Sequence, residues 1–179
     1  MSLARILASL AVLAALAGLF LPLGVDAEAA PIATWTVLPV AGYLVVLAAV
    51  VLGFRFDPPV AVTGGLAILG GAVTLWALGS FTLAAGGYWA LLTATWFIAW
   101  AFAERFANGL GKGRANGTTA GLILPVALGI AILVAWEAAT RGGNVPMVLL
   151  PSPSAIGARI VNNLAMLWAD FQQTVLKAV

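Results

Sequence analysis

The chain has no cysteine and no histidine, and its 179 residues include only eight Lys or Arg and six Asp or Glu. Without cysteine there is no disulfide, no thiolate nucleophile and no thiolate metal site. Without histidine the commonest general base and metal ligand is missing as well. The scarcity of charge excludes still more. A soluble domain is about 25% charged and about 45–50% apolar, whereas here the figures are 8% and 63%, with a mean hydropathy of +1.10. So little polar surface cannot cover a soluble fold of this size. The net charge of +2 and the isoelectric point near 9.5 conceal no dense basic cluster, so no nucleic acid is implied as a partner.

What the chain does have is long apolar sequence. No charged side chain occurs at residues 6–25 or 58–103, and a helix needs about 20 apolar residues to cross a bilayer. The expectation is an all-α, polytopic helical membrane protein. About five transmembrane helices, near 3–23, 35–54, 60–78, 87–103 and 119–138, precede a periplasmic amphipathic helix. Barrel strands would be shorter and would alternate in polarity.

The cations orient these segments. With the N-terminus inside, Arg5, Arg55, Arg105, Lys112 and Arg114 all fall on the cytoplasmic side. The first two outer loops hold only Asp26 and Glu28, and Arg141 alone flanks the fifth segment outside. This is the positive-inside pattern of an N-in protein. The first segment has a rival reading as a signal peptide, with Arg5 before an apolar stretch and Ala27-Glu28-Ala29 as a cleavage candidate. Its long apolar run, with Pro22 well upstream of that site, favours a retained span.

Several motifs read more plainly than they first suggest. Asn108-Gly109-Leu110-Gly111-Lys112-Gly113-Arg114 resembles a phosphate loop, but Phe106 stands where such a loop needs glycine and Gly113 where it needs Ser or Thr. A flexible basic linker, and a seam between two membrane modules, fits better. Asn116-Gly117-Thr118 has the form of a glycosylation acceptor but lies on the cytoplasmic side. Ala61/Gly65 and Ala67/Gly71, with Gly64 and Gly70, mark a face for close helix packing. Trp89, Trp96 and Trp100 share one helical face, suited to packing and interfacial anchoring, and Trp35 suits an outer anchor. Glu137, beside the end of the fifth segment, precedes Arg141 by four residues in the favourable order for a pair. An acid in a membrane segment otherwise reads as functional.

After the fifth segment, Leu149-Leu150-Pro151-Ser152-Pro153-Ser154 predicts an extended approach and a helix start, with Ser152 as cap and Pro153 at the first helical position. Ile156, Ile160, Leu164, Leu167 and Phe171 then form an apolar stripe, with Arg159, Asn162, Asn163, Asp170 and Gln173 largely opposite. That pattern predicts an amphipathic helix lying at an interface.

These residues carry a resemblance. From about residue 122 to 179 the chain resembles the beginning of a permease subunit of an ABC importer of the nitrate/sulfonate/taurine class. The matching elements are a span ending in Trp136-Glu137, the Leu150-Pro151-Ser152-Pro153-Ser154-Ala155 element, and Thr174-Val175-Leu176-Lys177, with Thr174 and Lys177 at the Ser/Thr and basic positions of the entry into the membrane core. The resemblance implies a bacterial inner-membrane location. It also implies a second permease subunit, cytoplasmic ATP-binding subunits and a periplasmic solute-binding protein as partners, besides membrane lipid. It implies no cofactor, no metal and no catalytic residue in this chain. On this reading residues 1–115 are a four-span extension, 116–140 the first permease helix, 141–170 the periplasmic linker and amphipathic helix, and 171–179 the start of a truncated core. The family's ATPase-coupling loop, beginning Glu-Ala-Ala, has no counterpart through Val179, so an N-terminal part of a permease is expected. The alternative is a stand-alone five-span accessory or scaffold protein. A membrane enzyme is disfavoured, because no histidine, cysteine or acid pair is available for catalysis.

Overall fold

The computed structural model describes residues 2–111 and 118–176, which are mostly helical. Four helices close into a bundle: α1 (Leu3–Phe20), α2 (Leu38–Gly53), α3 (Val60–Ala77) and α4 (Gly86–Gly111). α4 packs along both α1 and α3, and α2 fills the space between those two on the other side. A fifth helix, α5 (Thr118–Gly142), leans on α4 and α3, and the short helices α6 (Pro153–Asn162) and α7 (Leu164–Phe171) follow. Among the described residues three helices are long and apolar enough to cross a membrane, namely Leu3–Phe20, Val60–Ala77 and Gly121–Gly142, and the apolar Leu38–Gly53 is shorter.

α1 turns an alanine-rich face into the bundle: Ala4, Ala8, Ala11, Ala15 and Gly18 are buried there. Small side chains let helix backbones approach closely, which supplies van der Waals contact where lipid offers no hydrophobic driving force. A Cβ on Gly18 would stand 3.2 Å from Leu44 and 3.3 Å from Ala90. The glycines of α3 divide differently from the sequence expectation. Gly65 faces open space and Gly71 has only Val134 at 3.9 Å, so the Ala61/Gly65 and Ala67/Gly71 pairs are not the tight contact. Gly64 and Gly70 are: a Cβ on Gly64 would lie 3.1 Å from the Phe102 ring, and Gly70 sits directly beneath the Tyr43 hydroxyl. That hydroxyl donates to the Leu66 carbonyl at 3.2 Å and meets the Thr95 hydroxyl at 3.5 Å, joining α2, α3 and α4 in the middle of the bundle. Trp89 and Trp100 are exposed on the outside of α4, and Trp96 is half-buried.

The helix boundaries also move. α1 ends at Phe20 rather than 23, because Pro22 opens a strand. β1 (Pro22–Val25) pairs antiparallel with β2 (Pro31–Ala33) on one side and β3 (Leu83–Ala84) on the other. This small sheet, absent from the all-helical expectation, caps one end of the bundle. Gly24 is required there, since a Cβ would fall 2.5 Å from the Phe81 ring. The turn between β1 and β2 is held by the Asp26 carboxylate, which accepts from the amides of Glu28 and Ala30. α2 begins three residues later than expected, after a 3-10 turn at Thr34–Thr36, and α4 runs on to Gly111 instead of stopping at 103. The linker thus loses Asn108 to Gly111 to the helix, while Lys112, Arg114 and most of the Asn116-Gly117-Thr118 motif lie outside the described residues.

The opposite end is closed by charge. Arg55 and Phe56 both take left-handed backbone conformations, φ 51° and 64°, and reverse the chain after α2. That turn presents Asp57 to two other helices. Arg5 of α1 donates to it at 2.6 Å, and Arg105 of α4 donates both to it and, at 3.3 Å, to the Phe56 carbonyl. Hydrogen bonds from Arg5 and then from Arg105 hold the Asp57 carboxyl below the usual carboxylate range.

Two predictions follow from this packing. Gly70→Ala forces Tyr43 off its carbonyl partner and is expected to cost about 1–3 kcal/mol, read as a lower thermal midpoint in detergent. Because the Asp57 carboxyl is depressed in the fold, its contribution is present above the ordinary carboxylate range and disappears as pH falls through the lowered value. Asp57→Asn is expected to cost about 1 kcal/mol at neutral pH, since the pair is partly exposed. The difference from wild type should vanish in strong acid.

Candidate functional site

The candidate site is the junction between the end of α5 and the start of α6. α5 ends because the chain turns left-handed at Asn144, φ 48°, with the Gly143 amide bonded to the Ala139 carbonyl and Val145 to Thr140. An apolar approach follows, in which Met147, Val148 and Leu149 are exposed and Pro146 closes two turn hydrogen bonds. Ser152 then caps α6 as its sequence predicts: its hydroxyl accepts from the Ala155 amide and Pro153 occupies the first turn.

Glu137 joins the two elements. One carboxylate oxygen accepts from the Ser154 amide at 2.9 Å, and the other accepts from the Ser154 hydroxyl at 2.6 Å and from Arg141 at 3.1 Å. The Glu137 side chain is 9% exposed and that of Arg141 50%, so the carboxylate is inside the joint and the guanidinium at its rim. A carboxylate at the first turn of a helix suits both the unpaired amides and the positive end of the helix dipole. The Glu137–Arg141 pair is therefore present as expected, but Ser154 supplies more of the contact. Beside the joint, Thr140, Arg141, Asn144, Leu150, Ser152 and Ser154 help to line an open cleft of about 350 Å³.

Other elements support it. Tyr88, at the start of α4, presses against the end of α5, where a Cβ on Gly142 would be 2.7 Å from its ring. Its ring packs edge-on against Phe81 and Trp89, at 4.9 and 5.5 Å between centroids. The Tyr88 hydroxyl and the Trp136 indole nitrogen are buried without a hydrogen-bond partner among the described residues. The Trp136 carbonyl accepts from the Thr140 hydroxyl. Sequence reasoning missed Tyr88, Thr140 and Gly142. Only the glycine pair after Arg141 hinted that something packs closely there.

The remaining candidate residues divide. Trp136, Glu137, Leu150, Pro151, Ser152, Pro153 and Ser154 come together at the junction, whereas Thr174 is exposed at the far end of the arm and Lys177 lies outside the described residues. Arg5 and Arg105 meet at Asp57, and Arg55 is exposed in the adjoining turn. The amphipathic helix is broken in two. Asn163 ends α6 by donating its side-chain amide to the Arg159 carbonyl at 2.8 Å, and α7 starts beyond it. Every residue of α7 is exposed, with Trp168 stacked on Phe171 at 5.5 Å, and a wide-open helical turn covers Gln172–Leu176. Among the described residues no group of three or more acid, histidine or cysteine side chains could hold a metal.

Set against family models, curated proteins and solved structures, the chain matches none.

Glu137→Ala removes the acceptor of three hydrogen bonds, two of them from α6. The expected loss is about 2–3 kcal/mol, seen as faster hydrogen exchange at the Ser154 and Ile156 amides. Glu137→Gln keeps a carbonyl acceptor and should retain part of the protection. Unchanged exchange in Glu137→Ala would mean that the arm is held by other contacts.

Proposed function

We propose that this chain is a membrane-spanning permease subunit of an ATP-driven solute importer of the nitrate/sulfonate/taurine type. The observation that carries the reading is the Glu137–Ser154 joint. The two motifs behind the resemblance, Trp136-Glu137 and Leu150-Pro151-Ser152-Pro153-Ser154-Ala155, are separate in sequence yet form one hydrogen-bonded element.

The membrane topology belongs to the same proposal. α1 and α3 run in the same direction from the Asp57 end to the sheet end, and each is apolar enough to span. α2 and α4 lie beside them and return the chain, so all four cross together; α5 makes the fifth crossing. α2 has only 16 residues, about 24 Å of helix, and the Thr34–Thr36 turn lengthens it. The Arg5, Arg55 and Arg105 end is cytoplasmic by the positive-inside rule, which places the sheet and the Glu137 joint outside. There the joint and the α6–α7 arm face the side from which a solute-binding protein would deliver. Second permease and ATP-binding subunits complete such an importer.

Reporter fusions test the orientation. Alkaline phosphatase joined after Glu28, Ser80 or Asn144 should be active, and after Asp57 or Gly111 inactive, with a fluorescent reporter giving the inverse. The importer reading is tested by recovering the tagged protein from its native membrane. An ATP-binding subunit should accompany a longer chain that carries the coupling loop but not these 179 residues alone. Stable recovery of that subunit with the 179 residues alone would overturn this account, and its absence from both would favour the accessory or scaffold protein.

A further inference from the structure

We infer that the cytoplasmic end of the bundle is a binding site for the headgroup of an anionic phospholipid, formed by Arg5 and Arg55 above the exposed apolar side chains Leu3, Ile6, Leu52 and Phe54. The inference rests on the membrane orientation proposed above and concerns a different part of the molecule from the Glu137 joint.

Charge at this end does not cancel. Among the described residues, three guanidinium groups, on Arg5, Arg55 and Arg105, stand with two carboxylates, those of Asp57 and Glu104. Asp57 is shared by Arg5 and Arg105, so one carboxylate answers two cations. Glu104 accepts at 3.1 Å from Asn108, one turn along its own helix, and makes no ion pair among the described residues. Arg55 is exposed and has no side-chain partner among the described residues. A guanidinium carries five N–H donors. Arg5 commits one nitrogen to Asp57 while its side chain remains 49% exposed, so donors remain for a second anion. Asp57 also fixes the place: it is bonded to Arg5 and follows Arg55 by two residues, which gathers both cations at the ends of α1 and α2.

The surface beneath them is apolar. Leu3 and Ile6 on α1 are 46% and 41% exposed, and Leu52 and Phe54 at the end of α2 are 47% and 46% exposed. α1 and α2 pack side by side. A basic rim over an apolar helix surface, at the depth where the chain leaves the hydrocarbon, matches a phospholipid in both charge and polarity. Phosphate is the anion that arginine donors fit best, and the cytoplasmic leaflet is where basic side chains next to spans meet anionic lipid.

Native mass spectrometry of the full chain, released from detergent containing equal phosphatidylglycerol and phosphatidylethanolamine, tests this. Phosphatidylglycerol adducts should dominate. Arg55→Gln, which breaks no side-chain contact, should reduce them about fivefold, and Arg55→Lys should restore most of the loss. The thermal midpoint of each variant, followed by tryptophan fluorescence, checks that the bundle is intact. Equal retention of the two lipids, or phosphatidylglycerol binding unchanged in Arg55→Gln, would overturn the site while leaving the importer reading untouched. Reporter fusions that put Asp57 outside would overturn the orientation itself.

Discussion

A carboxylate gains most from charged and polar donors that the fold fixes around it, and so ties together the elements that carry them. Two such carboxylates organise this molecule. Asp57 draws α1 and α4 onto the turn between α2 and α3. Glu137 draws the N-terminus of α6 back onto the end of α5. Each joins segments that the sequence keeps apart, and each stands at an end of the helices, where a charge is cheaper to keep than at mid-depth. Between them the bundle is held mostly by close packing, with the Tyr43 hydroxyl bonded to the Leu66 carbonyl and Thr95 at its middle.

That contact depends on what the side chains leave out. The alanines of α1 and the glycines at positions 18, 64 and 70 remove bulk where helices or rings press together. α4, which packs on α1, α3 and α5, acts as a central post and contributes Thr95 to the hydroxyl pair in the middle of the bundle. The three-strand sheet closes the end of the bundle away from Asp57 by pairing the loop after α1 with the loop before α4. The central strand β1 thereby has partners on both of its edges.

By contrast, α5, α6 and α7 are little covered. Along α5, Leu122, Val126, Leu128 and Ile130 are all more than half exposed, and only its last turns are clasped by Tyr88 and Gly142 against α4. The division between a closed four-helix unit and an open, outward-reaching remainder coincides with the border of the permease resemblance.

Hydropathy and charge placement were enough to find every long helix. A span must be apolar over about 20 residues, and cations resist crossing; both constraints act on local sequence. The capping of α6 by Ser152 and Pro153 was equally legible, because it involves neighbours only. The sheet was not, since β1, β2 and β3 have at most four residues each and their pairing brings residue 24 to residue 84. Nor was the break at Asn163, where a side chain competes with the helix for one carbonyl. Sequence alone determined that the chain carries membrane-length apolar segments, roughly where the long helices lie and which pairs lie four apart, such as Glu137 and Arg141. Only the tertiary structure decided that Asp57 serves two arginines, that Gly70 rather than Gly71 carries the tight contact, and that Glu137 reaches Ser154. Those contacts depend on how far one helix is rotated and shifted against another, and no run of neighbouring residues records that.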